Sequence, residues 1–359
     1  MSLLSGTLGF TRFKPEDNPL ARNNLLTALQ DNRFRPFQDG SDRERVGWAS
    51  WRNPLITDIK EEDTFFDGYA VFSLRVDTRK IPPTLLNTHL ELKIARLMET
   101  KDLKFVGKEA RTALKEEVID ELLPKMVPTT KTIDLAWNLK ENVLCTTATS
   151  KSDISRMRTH FLSTFNSVPH IITPTSVVEG HPNYDDSLET EDIPSNYLIW
   201  LWKESQINSG VMKLENTVSS MSVEHPIVLT IDRGYVQKIT LDKGNPTESF
   251  EGFNCLSKEM LPQKLKIRLI IDDEQWTCTL SASNLAITGL SLPKPQKTKE
   301  RLDKLLIISQ RLAYLKECIT HLDARFNAYL DQKLTDQDKL NTDIQKWIAE
   351  GLETTRENN

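Results

Sequence analysis

The sequence predicts an α+β fold, antiparallel sheets with packed helices. Three observations point there. Strand-like and helical stretches do not follow the regular strand–helix–strand rhythm of a parallel sheet; the first half runs strand, helix, strand, two helices, hairpin, helix. The second half is dense in alternating segments that pair across short turns. After Lys299 the apolar residues recur at helical spacing. At 359 residues the chain has material for about two domains.

Taken in order, residues 7–13 alternate like a short strand. Residues 18–30, with Leu20, Leu25, Leu26 and Leu29, form an amphipathic helix begun at Asn18-Pro19. A polar, Arg-rich loop holds Gly47-Trp48 and Trp51. Residues 64–76, aromatic and β-branched, read as one strand. Ile81-Pro82-Pro83 opens a helical region that runs to Leu123 and breaks near Gly107. Residues 132–149 form a hairpin about Lys140-Glu141-Asn142, and 153–166 are helical. Residues 173–194, with two prolines and few apolar residues, read as a loop, followed by a short helix around Trp200. Two strand pairs come next, 226–233 with 235–241 and 264–271 with 275–280, the latter joined at Asp272-Asp273-Glu274. Residues 292–299 are a linker. A long helix to about Lys333 and a shorter one over 336–348 follow, with a frayed tail. The expected organisation is an N-terminal α+β region over 1–170, a second α+β region over 171–292 and a helical extension over 293–359.

Composition excludes several classes. Lys and Arg total 46 against 51 Asp and Glu, a net charge of −5, so the protein is no uniformly basic coat for nucleic acid, although a local basic stripe remains compatible with that sum. No run approaches the ~18 apolar residues of a membrane span, and the N-terminus lacks a basic segment followed by a long apolar one. Four cysteines without short pairing fit a reducing compartment, and the expectation is a soluble, cytoplasmic protein. No phosphate-cradling, dinucleotide-binding or serine-hydrolase motif occurs. The histidines at 89, 160, 170, 181, 225 and 321 fall at no metal-ligand spacing, and Cys145, Cys255, Cys278 and Cys318 read as small buried hydrophobes.

Two acidic sets invite a nuclease reading, because metal-assisted phosphodiester hydrolysis needs clustered carboxylates. Asp185, Asp186, Glu189, Glu191 and Asp192 stand in the expected loop without a nearby Lys or His, and read as a solvated acidic stretch. Asp77 followed by Glu91-Leu92-Lys93 superficially fits an Asp…Glu-x-Lys nuclease pattern. That pattern needs Glu and Lys on a strand, where i and i+2 share a face. Here Leu85, Leu86, Leu90, Ile94 and Leu97 give a helical period, so the two side chains diverge by about 200° and the match fails.

The most informative local feature is basic. Lys101, Lys104, Lys108, Arg111 and Lys115 recur at spacings of 3, 4, 3 and 4, which on a continuous helix is one face. Together with Lys93 and Arg96 they make seven cations against Glu99, Asp102 and Glu109, a local +4. Such a stripe could track a phosphate backbone with no sequence readout, or be a solvated face with intrahelical ion pairs. A second set, Lys264, Lys266 and Arg268, alternates with Leu265, Ile267 and Leu269, and lines the polar face of a strand.

A co-linear series of short segments resembles the recombination-associated protein RdgC family. The segments are Lys93-Ile94-Ala95-Arg96-Leu97, Leu114-Lys115-Glu116-Glu117-Val118 and Leu122-Leu123-Pro124-Lys125. Val46-Gly47-Trp48, the run from Arg75 to Pro82, Trp137, and Tyr197-Leu198-Ile199-Trp200-Leu201-Trp202 support them. The resemblance covers residues 1 to about 205. It implies a cytoplasmic, nucleoid-associated protein whose protomers close into a ring-shaped dimer with a basic hole. It further implies binding to duplex and single-stranded DNA without sequence preference, restraint of RecA-driven recombination by occupying DNA, and neither catalysis nor a cofactor. On that footing the DNA-binding residues are Lys93, Arg96, Lys101, Lys104, Lys108, Arg111, Lys115, Lys125, Lys264, Lys266 and Arg268. One departure stands out: where the family places a ring-closing Phe, this sequence has Met126-Val127. Two other functions stay open at this level, a regulatory subunit with the same fold but no DNA affinity, and a DNA exonuclease.

Overall fold

The computed structural model describes the chain apart from residues 1–2, 4–5, 39, 41, 186–189, 191, 215–216, 283–285, 294–303 and 358–359, and the side chain of Glu357. The first elements are β1 (Leu8–Pro15), α1 (Arg22–Asp31), β2 (Glu44–Ala49), α2 (Glu61–Thr64), β3 (Phe65–Phe66) and β4 (Tyr69–Thr78). Then come α3 (Pro83–Thr100), α4 (Lys108–Leu122), β5 (Thr129–Asn138), β6 (Val143–Thr146), α5 (Lys151–Phe165), β7 (Pro169–Ile171), α6 (Pro174–Glu179) and α7 (Ile193–Ile207). The remainder are β8 (Met212–Leu214), β9 (Thr217–Asp232), β10 (Val236–Leu241), α8 (Phe250–Ser257), β11 (Leu261–Ile271), β12 (Glu274–Ser281), β13 (Ile287–Ser291), α9 (Lys304–Thr335) and α10 (Gln337–Glu357). The fold is mixed α+β with antiparallel sheets and packed helices.

Two compact units interleave along the chain. One comprises residues 17–140 and 155–168; the other comprises 1–16, 141–154 and 169–359. The expected segments 1–170, 171–292 and 293–359 are therefore not the units. β1 and β6 belong with the C-terminal residues, because β1 pairs with β13 (Leu8 opposite Leu290) and with β6 (Arg12 opposite Cys145).

The unit of residues 17–140 and 155–168 is built on the antiparallel order β5–β4–β2, with β3 paired to β4. Residues 64–76 are not one strand. Asp67 and Gly68 both have positive φ, +48° and +80°, the requirement of a two-residue hairpin turn, and they fold β3 back onto β4. The expected polar loop around Gly47-Trp48 is instead strand β2. Its charged start (Glu44-Arg45) and internal glycine hide it from a propensity reading, yet the glycine is a requirement. A Cβ on Gly47 would lie 2.3 Å from Phe34 Cα, because residues 32–34 bond to the same strand: the Phe34 N–H donates to Trp48 O at 2.8 Å, and the Trp48 N–H to Asn32 O at 3.0 Å. The core gathers Trp48, Phe72, Trp137, Phe161 and Phe165, with Trp48 edge-on to Phe72 at 5.0 Å and its indole N–H donating to Thr164 Oγ1 at 2.8 Å.

In the other unit the strand order is β10–β9–β11–β12–β13–β1–β6, with β7 on β1 and β8 on β9. Strand β11 alternates as its sequence demands, burying Leu265, Ile267, Leu269 and Ile271. Residues 173–194 are not all loop: Thr173 and Ser176 make a capping box that starts α6. Part of the acidic stretch 185–192 and most of the linker 292–299 lie outside the described residues. The C-terminal tail is not frayed within the described residues, since α10 continues to Glu357. Gly351 allows this, because a Cβ there would sit 2.2 Å from the Phe253 ring, which itself packs on Trp347 at 5.3 Å. All four cysteines are buried and unpaired, and burial pushes Cys145 and Cys278 up to about 12, so neither is a thiolate nucleophile.

Gly47→Ala should lower the stability of the 17–140 and 155–168 unit by about 1–3 kcal/mol, since the obstruction is backbone that no rotamer change relieves. Urea unfolding followed by tryptophan fluorescence reads this as a lower midpoint; an unchanged midpoint would show that residues 32–34 do not hug β2.

Candidate nucleic-acid interface

The basic residues read from the sequence sort into distinct environments. Helix α3 starts at Pro83, whose missing N–H costs nothing in the first turn, and ends at Thr100. Asp102 then turns the chain at φ +49°, with the Leu103 N–H donating to Met98 O at 2.9 Å, a helix-terminating loop bond. Lys101 is thus the cap of α3, and Lys104 stands in the connector before α4. The expectation of five cations on one helix face is corrected: only Lys108, Arg111 and Lys115 share a face, that of α4. The connector breaks the helical phase that spacing alone carried across it.

What replaces the long stripe is shorter and more telling. On α4 the row Lys108, Arg111, Lys115, Val118, Leu122 keeps the 3–4 spacing of one face throughout. Val118 and Leu122 are buried, whereas every residue from 107 to 113 is exposed. The same face is therefore core at the C-terminal end of the helix and basic where the helix runs out into solvent.

Helices α3 and α4 are clamped together by charge. Lys93 Nζ donates to Glu121 Oε1 at 2.6 Å and to Glu117 Oε2 at 2.9 Å. These hydrogen bonds raise the Lys93 ammonium above its ordinary value, and the bond from Lys93 holds Glu121 below the usual carboxylate range. Lys93 is committed to this contact. Among the described residues, Arg96, Lys101, Lys104, Lys108, Arg111 and Lys115 are exposed and make no ion pair. Lys125 follows the helix in a short 3-10 turn, exposed and within electrostatic reach of Glu121. Val127, at the position of the family's aromatic, is 88% exposed.

The strand set belongs to the other unit. Lys266 Nζ lies 3.6 Å from Glu224 Oε2 on β9, and Arg268 hydrogen-bonds the other oxygen of the same carboxylate. Lys264 is exposed and makes no ion pair among the described residues. The expectation of three cations lining the polar face of a strand holds in register, but two of them share one acid.

The nuclease pattern does not assemble around Asp77. Its carboxylate is 4% exposed and gripped at both oxygens by Arg75, Nε to Oδ1 at 2.9 Å and the terminal nitrogen to Oδ2 at 2.6 Å. The same guanidinium lies 4.0 Å from the Phe34 ring centre. Glu91 and Lys93 are both on helix α3. Among the described residues no three His, Cys, Asp or Glu side chains are grouped to hold a metal ion.

Sequence reasoning passed over two features here. A groove of about 580 Å³ at the start of α3 is lined by Arg79, Lys80, Ile81, Pro82, Leu86 and Ile119, among others. Phe105, in the connector, is 77% exposed among lysines. The signal for Phe105 was present as an aromatic inside a basic run; the groove depends on residues far apart in sequence.

Comparison with known proteins bears on this hairpin directly. Residues 10–183 match the family model described as "Putative exonuclease, RdgC". The chain is RdgC-like. The matched span contains α3, α4 and their connector, and ends before the Lys264 strand. No curated protein matches the chain. No described helix is long and apolar enough to cross a membrane.

Replacing Lys93 with Met should raise the titration of Glu121 toward the ordinary carboxylate range. In the wild type the contact contributes while both groups are charged. It is lost as pH falls through the depressed Glu121 value, and again as pH rises through the elevated Lys93 value. Carboxyl ¹³C NMR titrations of the two proteins measure this; superimposable Glu121 curves would mean that Lys93 does not clamp the helices.

Proposed function

We propose that this RdgC-like protein binds DNA without sequence preference and modulates RecA-type recombination by occupying the DNA, as a homodimer closed into a ring, without cutting it. The observation that carries the reading is the α4 face, on which Lys108, Arg111 and Lys115 continue the buried Val118–Leu122 row into solvent with no acid paired to them among the described residues. Exposed cations at helical spacing supply point charges to phosphates and carry no base readout. Lys101, Lys104 and Arg96 extend the track, whereas Lys93, Lys266 and Arg268 are already neutralised by Glu117, Glu121 and Glu224. Binding without cutting is supported by the Asp77 carboxylate being occupied by Arg75. The ring and the dimer belong to the reading through the family likeness.

Gel shifts on random-sequence duplex at several salt concentrations test it. Affinity should fall with a slope of about −0.9 in log K per phosphate contact, and the Lys108, Arg111, Lys115 triple Ala variant should flatten that slope by about three. Replacements on an exposed face should leave the fold within ~0.5 kcal/mol of wild type. A folded triple variant with the wild-type slope would remove α4 from the interface. In the same samples, Mg²⁺-dependent release of nucleotides from labelled ends that disappears in Asp77→Asn would instead establish an exonuclease. Light scattering should give about twice the 41.1 kDa chain mass; a single-chain mass would end the ring.

A further inference from the structure

The α3–α4 connector presents an aromatic ring where polar residues would be cheaper. Phe105 is 77% exposed and Leu103, two residues before it, 42%. The connector is bounded by backbone hydrogen bonds at both ends, the Leu103 N–H to Met98 O where α3 closes and the Arg111 N–H to Gly107 O at 3.0 Å where α4 opens. Around the ring in sequence stand Lys101, Lys104, Lys108 and Arg111, all exposed and none in an ion pair among the described residues. Phe105 therefore stands, in the chain, just ahead of the basic face of α4.

We propose that Phe105 stacks on an unpaired nucleobase, so that the connector selects single strands, overhangs and junctions while the α4 cations hold the phosphates. This rests on the nucleic-acid reading above and names the substrate feature that the same site prefers. In a duplex both faces of every internal base are covered by its neighbours, whereas an unpaired base offers a π-face, and an aromatic ring beside cations is the arrangement that takes it without regard to sequence. A lipid surface would also accept a Phe with lysines. It would engage only the connector, however, and leave Arg111 and Lys115, one and two turns down the helix, without a role. A linear polyanion uses them all.

The test uses the full chain with oligothymidylate, a blunt duplex, and the same duplex carrying a single-stranded overhang with 2-aminopurine. Phe105→Ala should weaken oligothymidylate and overhang binding by roughly tenfold, the stacking contribution of one base, and leave blunt-duplex affinity within about twofold. Phe105→Trp should restore the loss. Wild-type binding should change the 2-aminopurine fluorescence, and Phe105→Ala should not. Thermal unfolding serves as the fold check, which an exposed side chain should pass. Equal loss on single strand and duplex would make Phe105 a support for the connector and overturn the proposal. No loss on either would overturn it too, and the reading of α4 as a phosphate track would stand if the triple variant still flattened the salt slope. Loss of binding to anionic phosphatidylserine vesicles, with single-strand affinity intact, would assign the ring to a membrane surface instead. A wild-type protein that bound none of the three DNAs would sink both readings together.

Discussion

Burial of Val118 and Leu122 sets the azimuth of α4, and with it the direction in which every other residue of the helix points. A rigid helix has one rotational degree of freedom, and two buried positions a turn apart remove it. Lys115, Arg111 and Lys108 therefore need no contacts of their own to be aimed; they inherit their direction from the apolar end of the row. The Lys93 bridges to Glu117 and Glu121 tie α3 to the same half of the helix, where the acids of α4 are concentrated. Anchoring and presentation occupy opposite ends of one element, so the presenting end can be fully wet without loosening the fold.

Charge in this protein is better understood as availability than as a sum. A net −5 says little about binding when particular carboxylates are assigned to particular cations. Glu224 takes up both Lys266 and Arg268, and Asp77 takes up Arg75. Partly exposed ion pairs such as those on Glu224 contribute only about 0–1 kcal/mol each, so those assignments do little for stability, whereas the Arg75–Asp77 pair is buried. Their larger consequence is that they withdraw particular cations from external anions, whereas Lys104, Lys108, Arg111 and Lys115 on the connector and the solvent end of α4 are paired to no acid among the described residues.

How much of this was legible in the sequence varies with how local the cause is. Helices α3 and α4, the break before Gly107 and the Asp272-Asp273 turn are specified by residues adjacent to them, and they read correctly. Strand β2 did not, because its glycine is explained by the backbone of residues 32–34 and not by its neighbours in sequence. The continuation of α10 through a polar tail depends likewise on Phe253, nearly a hundred residues away in the chain. The basic stripe was half legible. Spacing put Lys108, Arg111 and Lys115 on one helix face, as α4 does, but spacing keeps counting through a connector, and the helix does not. Which lysines are neutralised was not legible at all, since the partners of Lys93 and Lys266 lie on other elements.

The interleaving of the two units has a consequence for how the protein is made. A ribosome releases residues in order, and every residue of the 17–140 and 155–168 unit has emerged once the chain has passed Val168. The other unit contains β1, whose Leu8 finds its neighbour only at Leu290 on β13, although residues 11–15 of the same strand pair with β6 and β7, which are made much earlier. The Leu8–Phe10 end of β1 is thus among the last parts of its unit to be paired, and until then it is an open edge of the kind that invites pairing with other chains. The basic hairpin, by contrast, is complete long before synthesis ends. A nascent chain carries its exposed basic surface while the Leu8–Phe10 end of β1 is still unsatisfied.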